Sequence, residues 1–151
     1  MARRLASPQS IRASRDGLVH EATVAWRLTD DHRWAVTISG RAFGTAEAVA
    51  DDAFEALCIV REQLEPYGWR IGVAGAQVDV WPSGMARDQG GGLKVYRITA
   101  EHVEDLVDTF EPVDPSTATT VALQRAETDR MLDEIRRRLS ARADAHPLSS
   151  D

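Results

Sequence analysis

Three glycines, one lysine and one arginine are the residues whose spacing points most directly to chemistry. Gly90-Gly91-Gly92 close a long segment that opens at Trp81-Pro82-Ser83-Gly84-Met85, with Arg87 before the glycines and Lys94 after them. Backbone N–H groups freed by glycine can form an anion nest, and a guanidinium and an ammonium would add positive charge to it. Lys94 is the only lysine in a chain that otherwise uses Arg. A phosphate-binding loop, however, needs Gly-Lys-Ser/Thr at the start of a helix. Here Val95 follows Lys94, and the glycines precede an expected strand. A dinucleotide fingerprint fails in the same way, because no helix follows the glycines. Three readings stay open: a surface connection with Pro82-Ser83-Gly84 as its first turn, a partner-binding loop, and a small-anion site.

Other reactive residues form no set. Ser83 stands in Pro-Ser-Gly rather than in a Gly-x-Ser-x-Gly elbow, and no histidine carries a motif that would pair with it. His20, His32, His102 and His146 are scattered through expected loop, turn, helix and tail. His102-Val103-Glu104-Asp105 lacks the second histidine of a His-Glu-x-x-His zinc helix. Cys58, the only cysteine, sits beside Leu57 and Ile59 in a helical pattern and reads as a buried, inert thiol. Asp51-Asp52 reads as a solvated first turn. No catalytic residue, metal or cofactor is expected, and an enzyme is the less favoured class. Trp26, Trp34 and Trp69 occupy apolar strand phases and belong to a core. Trp81 falls out of phase with Val78 and Val80, either as an interface anchor or as a cover over the sheet's other side. The contact residues expected from this region are Trp81, Ser83, Met85, Arg87 and Lys94.

The elements that must position them follow from periodicity. Residues 1–20 read as a flexible basic arm. Val24, Trp26 and Leu28 alternate with polar neighbours, Asp30-Asp31-His32 breaks the run, and Trp34, Val36 and Ile38 resume it, which predicts an antiparallel pair. Thr45 is the expected cap of a helix whose stripe is Val49, Ala53, Leu57, Val60 and Leu64, ended by Pro66 and Gly68. Trp69, Ile71 and Val73, then Val78 and Val80, then Leu93 to Ile98 read as strands. Val103, Leu106, Val107 and Phe110 fall at helical spacing, with Thr99 as a candidate cap. The expected class is α+β, roughly β-β-α-β-β-β with one long helix over the sheet and helices appended at the C-terminus. The core domain spans residues 21–111, and residues 112–120 form a linker. Residues 121–143 form an amphipathic helix, and residues 144–151 a frayed tail. Thr128, Leu132, Ile135 and Leu139 make a narrow stripe on that helix. It either packs on the sheet or meets a partner, including a second copy of the chain.

Composition sets the class. The 151 residues are 43% hydrophobic and 28% charged, enough for one domain with a core. Net charge is −6, unevenly spread. Without the four arginines that precede Asp16, 14 basic residues face 24 acids, so residues 16–151 carry −10. That balance argues against general nucleic-acid binding and favours a cationic partner or simple solubility. No apolar run is long enough to span a bilayer, and the arm lacks the apolar stretch of a secretory signal. Its Arg- and Ser-rich, acid-free composition fits an organellar transit peptide loosely, and a disordered bacterial N-terminus is the favoured reading. A cytoplasmic location is expected.

Residues 40–98 carry a resemblance. The helix from Asp52 to Glu65, Gly68-Trp69 and Gly75-Ala76 precede Asp79-Val-Trp81-Pro82-Ser83-Gly84-Met85, and Gly90-Gly91-Gly92-Leu-Lys94-Val-Tyr96 follows. Together they are similar to an uncharacterised family of small bacterial, actinobacterial-type proteins. That resemblance implies no activity and transfers no catalytic residue. In size and style such proteins resemble immunity proteins encoded beside toxins. The function expected is a small non-catalytic interaction protein, immunity-like or regulatory. The alternative is a small-anion module or enzyme that uses the glycine-rich loop.

Overall fold

The computed structural model describes residues 5–82, 90–98 and 103–145. Their chain order is β1 (Gln9–Arg15), β2 (Leu18–Leu28), β3 (Trp34–Gly40), β4 (Gly44–Ala50), α1 (Ala53–Leu64), β5 (Arg70–Ile71), β6 (Val80–Trp81), β7 (Lys94–Ile98), β8 (Val103–Asp108) and α2 (Val121–Ala145). The class is α+β, as expected. Two antiparallel sheets carry the strands, one in the order β4-β3-β2-β1-β5 and one in the order β6-β7-β8.

The large sheet is a meander of tight connections. Asp16 and Gly17 both take positive φ, 53° and 78°, and turn β1 directly into β2. An Asp-Gly pair in that conformation suits the twist of a two-residue hairpin. The stretch read as a flexible arm is therefore structured from Gln9 onward, with Ile11 and Ala13 buried. The inner face continues through Ala22 and Val24, Val36 and Ile38, and Ala46, Ala48 and Ala50. Ala53, Ala56, Leu57, Val60 and Leu64 of α1 share the same buried core. Trp26 stacks on the buried Phe110 at 4.4 Å between ring centroids.

Two further expectations change. Residues 44–50, read as the start of the helix with Thr45 as cap, form β4. Alanine is the strongest helix former, so three alanines at alternate positions give little strand contrast. Pairing with β3 over seven positions decides their state. The true cap is Asp52, whose Oδ1 accepts from the Glu55 N–H at 2.7 Å, and Asp52 is buried rather than solvated. Val103 to Asp108, read as helical, pair with β7 as β8, and Thr99 lies outside the described residues.

The segment read as a linker is docked. The Val113 N–H donates to Gly72 O at 3.0 Å and the Thr119 N–H to Ala76 O at 2.9 Å, while Pro115 is buried. These bonds fix the start of α2, which runs two residues beyond the expected end. Val121, Gln124 and Thr128 are buried, and the helix is exposed from Arg136 to Ala143.

Candidate functional site

Two of the three glycines, Gly91 and Gly92, serve close packing. Gly91 and Gly92 take φ of 64° and 74°, a region that glycine enters without strain. Gly91 O accepts from the Ala53 N–H at 2.6 Å, so the loop closes on the first turn of α1. A Cβ on Gly91 would stand 2.7 Å from Trp34 Nε1, and one on Gly92 would stand 2.7 Å from both Asp52 Oδ1 and Phe54 N. The N–H groups that an anion would seek thus face Gly91 O and the Asp52 side chain. Ser83, Met85 and Arg87 lie outside the described residues.

Trp81 and Lys94 are brought onto the small sheet. Trp81 pairs with Tyr96, and Tyr96 with Leu106. Residues directly opposite in an antiparallel ladder project from the same face, so these three form one row across all three strands. Lys94 pairs with Asp108 two positions along, and the two side chains form an ion pair. On the reverse face Val80 and Val95 are fully buried, in a cluster with Phe54, Cys58 and Val121. The outer row is less covered: Trp81 and Tyr96 are half-buried, and Leu106 is 50% exposed. Trp81 is anchored at the row's end. Its ring meets Phe54 edge-on at 5.0 Å, and the Arg125 guanidinium stands 5.7 Å over it.

Tyr96 and Leu106 were not among the residues expected from sequence. The signal for Tyr96 was present, since Lys94-x-Tyr96 is a two-residue alternation that places both on one strand face. Leu106 falls on a helical spacing with Val103, Val107 and Phe110, so the local sequence points to the wrong period for it.

The strongest polar chemistry in the interior is structural. Arg61 is fully buried. Its Nε donates to Glu65 Oε2 at 3.2 Å, Nη1 to Gln124 Oε1 at 2.6 Å and Nη2 to Thr119 O at 2.7 Å. Burial pulls its pKa down from the ordinary arginine value, and Glu65 opposes that shift. Glu65 Oε1 also accepts from the Val121 N–H at 2.9 Å and caps α2.

The remaining candidates are dispersed. His20 stands edge-on to Trp69 at 5.3 Å, His32 sits in the β2–β3 turn, and His102 and His146 lie outside the described residues. Cys58 is a buried thiol. Among the described residues no group of His, Cys, Asp and Glu could hold a metal ion, and no helix is long and apolar enough to cross a membrane. No protein-family model matches the chain, and no curated protein matches it.

Proposed function

We propose that the chain is a small cytoplasmic interaction protein, immunity-like or regulatory, that binds a protein partner through the outer face of its small sheet. The observation that carries this reading is the row Trp81–Tyr96–Leu106. Two aromatic side chains and a half-exposed leucine cross the three strands, and the Lys94–Asp108 pair stands at their flank. Aromatic anchors beside a polar rim are the usual makeup of a binding hot spot. Ser83, Met85 and Arg87, which lie outside the described residues, are kept in the proposal as contact residues on the sequence reading alone. Co-purification from the native host tests it. Wild-type chain should bring down one partner in defined ratio, and Leu106→Arg should lose it while remaining folded.

The rival reading, an anion site in the glycine loop, has less support because Asp52 and Gly91 O already occupy the first turn of α1. Self-association through Leu132, Ile135 and Leu139 is favoured by the 58% exposure of Leu139. The arginines beside that stripe are largely neutralised within the helix, Arg136 by Asp133 and Arg137 and Arg138 by Glu134, so charge does not decide the matter. Light scattering on wild type and Leu139→Asp decides between a dimer that dissociates and a chain that is monomeric throughout.

A further inference from the structure

The large sheet ends in an open edge. β4 is its outermost strand and pairs with β3 alone, in unbroken register over all seven positions. The ladder fixes which backbone groups face outward. The Thr29 N–H donates to Arg33 O at 2.7 Å, so odd-numbered residues of β3 bond to β2 and even-numbered ones to β4. Thr45, Glu47 and Val49 of β4 therefore direct N–H and C=O away from β3. Among the described residues only Glu47 O finds a partner there, accepting from Gln63 Nε2 at 3.3 Å. Proteins ordinarily blunt such an edge with lysine, proline or a bulge. Gly44–Ala50 has none of these. Its one charge, Glu47, is held back over the sheet by the Thr37 hydroxyl, which donates to Oε2 at 2.5 Å.

The surroundings give the chemistry of a strand that would fit. Every residue of α1 is buried except Glu55, Ile59, Glu62 and Gln63, and the Gln63 bond sets that side over the β4 edge. Glu47 and Glu62 border the middle of the edge, and neither is in an ion pair among the described residues. Asp51, past the strand's end, is paired with Arg33 at 3.3 Å. Arg41 lies beyond the strand's start at Gly44, itself roughly 10 Å from Glu47. Arg27, in β2, is three strand spacings or roughly 14 Å from a strand added to β4, more than a Debye length.

We propose that β4 accepts an added strand from a protein partner, an extended segment carrying Lys or Arg. Main-chain hydrogen bonds to Thr45, Glu47 and Val49 supply the affinity, and alternate side chains supply the selection. Those on the helix side meet Ile59 and Glu62, and those on the other side meet Glu47. A second copy of the chain is the poorer occupant, since a two-fold pairing of β4 strands brings Glu47 and Glu62 towards their own copies. This surface lies on the other sheet from the Trp81–Tyr96–Leu106 row and stands or falls apart from it.

The test is an NMR titration of the isotope-labelled full chain with two short blocked peptides. One alternates Lys and Thr, the other Glu and Thr. The Lys-Thr peptide should give saturable shifts at the Thr45, Glu47 and Val49 amides, and the Glu-Thr peptide should bind more weakly. Val49→Pro removes an outward N–H and leaves the bonds to β3 in place. It should abolish binding while the unfolding midpoint stays near that of wild type. Glu62→Lys, at an exposed helix position, tests the charge without touching the strand. It should weaken the Lys-Thr peptide about threefold, the scale of one exposed ion pair. No saturable shift at the edge amides would overturn the proposal. So would equal binding of the two peptides, a Val49→Pro chain that binds like wild type, or a chain that dimerises through β4.

Discussion

Arg61 and Gln124 are joined by a 2.6 Å hydrogen bond that ties α1 to α2 across 63 positions of chain. Gln124 completes the junction by sharing the two N–H donors of Nε2 among the carbonyls of Gly75, Gln77 and Val80, at 2.8, 2.9 and 3.0 Å. One buried arginine and one buried amide thereby hold the two helices and the segment leading into the small sheet in a single arrangement. The outer row of that sheet depends on it.

Arg61→Met should destabilise the fold by about 3–5 kcal/mol, because it leaves Glu65, Gln124 and the Thr119 carbonyl buried without their donor. Chemical denaturation measures this. A loss below about 1 kcal/mol would show the network to be no stronger than a surface ion pair.

Gly92→Ala should cost about 1–3 kcal/mol, since the new methyl meets the Asp52 carboxylate and two backbone nitrogens at a positive φ. The thermal midpoint should fall. Gly90→Ala, where a Cβ would meet nothing within 4 Å, is the control and should change it little.

Acid should erode stability through three carboxylates held below their ordinary pKa. A Thr29 hydroxyl bond holds Asp31 down, the Ser116 backbone N–H holds Asp114 down, and an Arg130 hydrogen bond holds Glu127 down. Their folded values lie below the unfolded ones, so the contribution is complete above the unfolded carboxylate range, near pH 4. It is lost as pH falls through the folded values. Asp114→Asn should therefore differ from wild type near neutrality and converge with it in acid. A gap that stays constant with pH would contradict this.

Trp81→Ala should cost about 2 kcal/mol of stability, because half of the indole is withdrawn from water against Phe54 and Arg125. Urea unfolding checks the figure. An unchanged midpoint would mean the ring contributes no packing. Because of this cost, Trp81 is a poor probe of binding by itself, and Leu106 a better one.

Local signals carried much of the fold. The β2–β3 hairpin, the apolar stripe of α1 and the extent of α2 follow from strong contrast between apolar and polar positions. Three strands escaped. β1 has few large apolar residues, and its Asp16-Gly17 turn was the overlooked clue. The alanines of β4 favour a helix locally, and only the ladder to β3 overrides them. In β8, Val103, Leu106 and Val107 satisfy a helical spacing as well as a strand. The candidate face was legible as far as Trp81 and Lys94. Its other half, Tyr96 and Leu106, depends on registers between strands that no local pattern encodes.

Partner capture by wild type and by Leu106→Arg at matched unfolding midpoints tests the central claim most directly. Leu106 is half-exposed on the outer row and stands at the far end from the Phe54 anchor, so the substitution should leave the core intact. The account predicts a stoichiometric complex for wild type and none for the variant. A variant that retains the same complex, or a wild type that captures nothing, would contradict it.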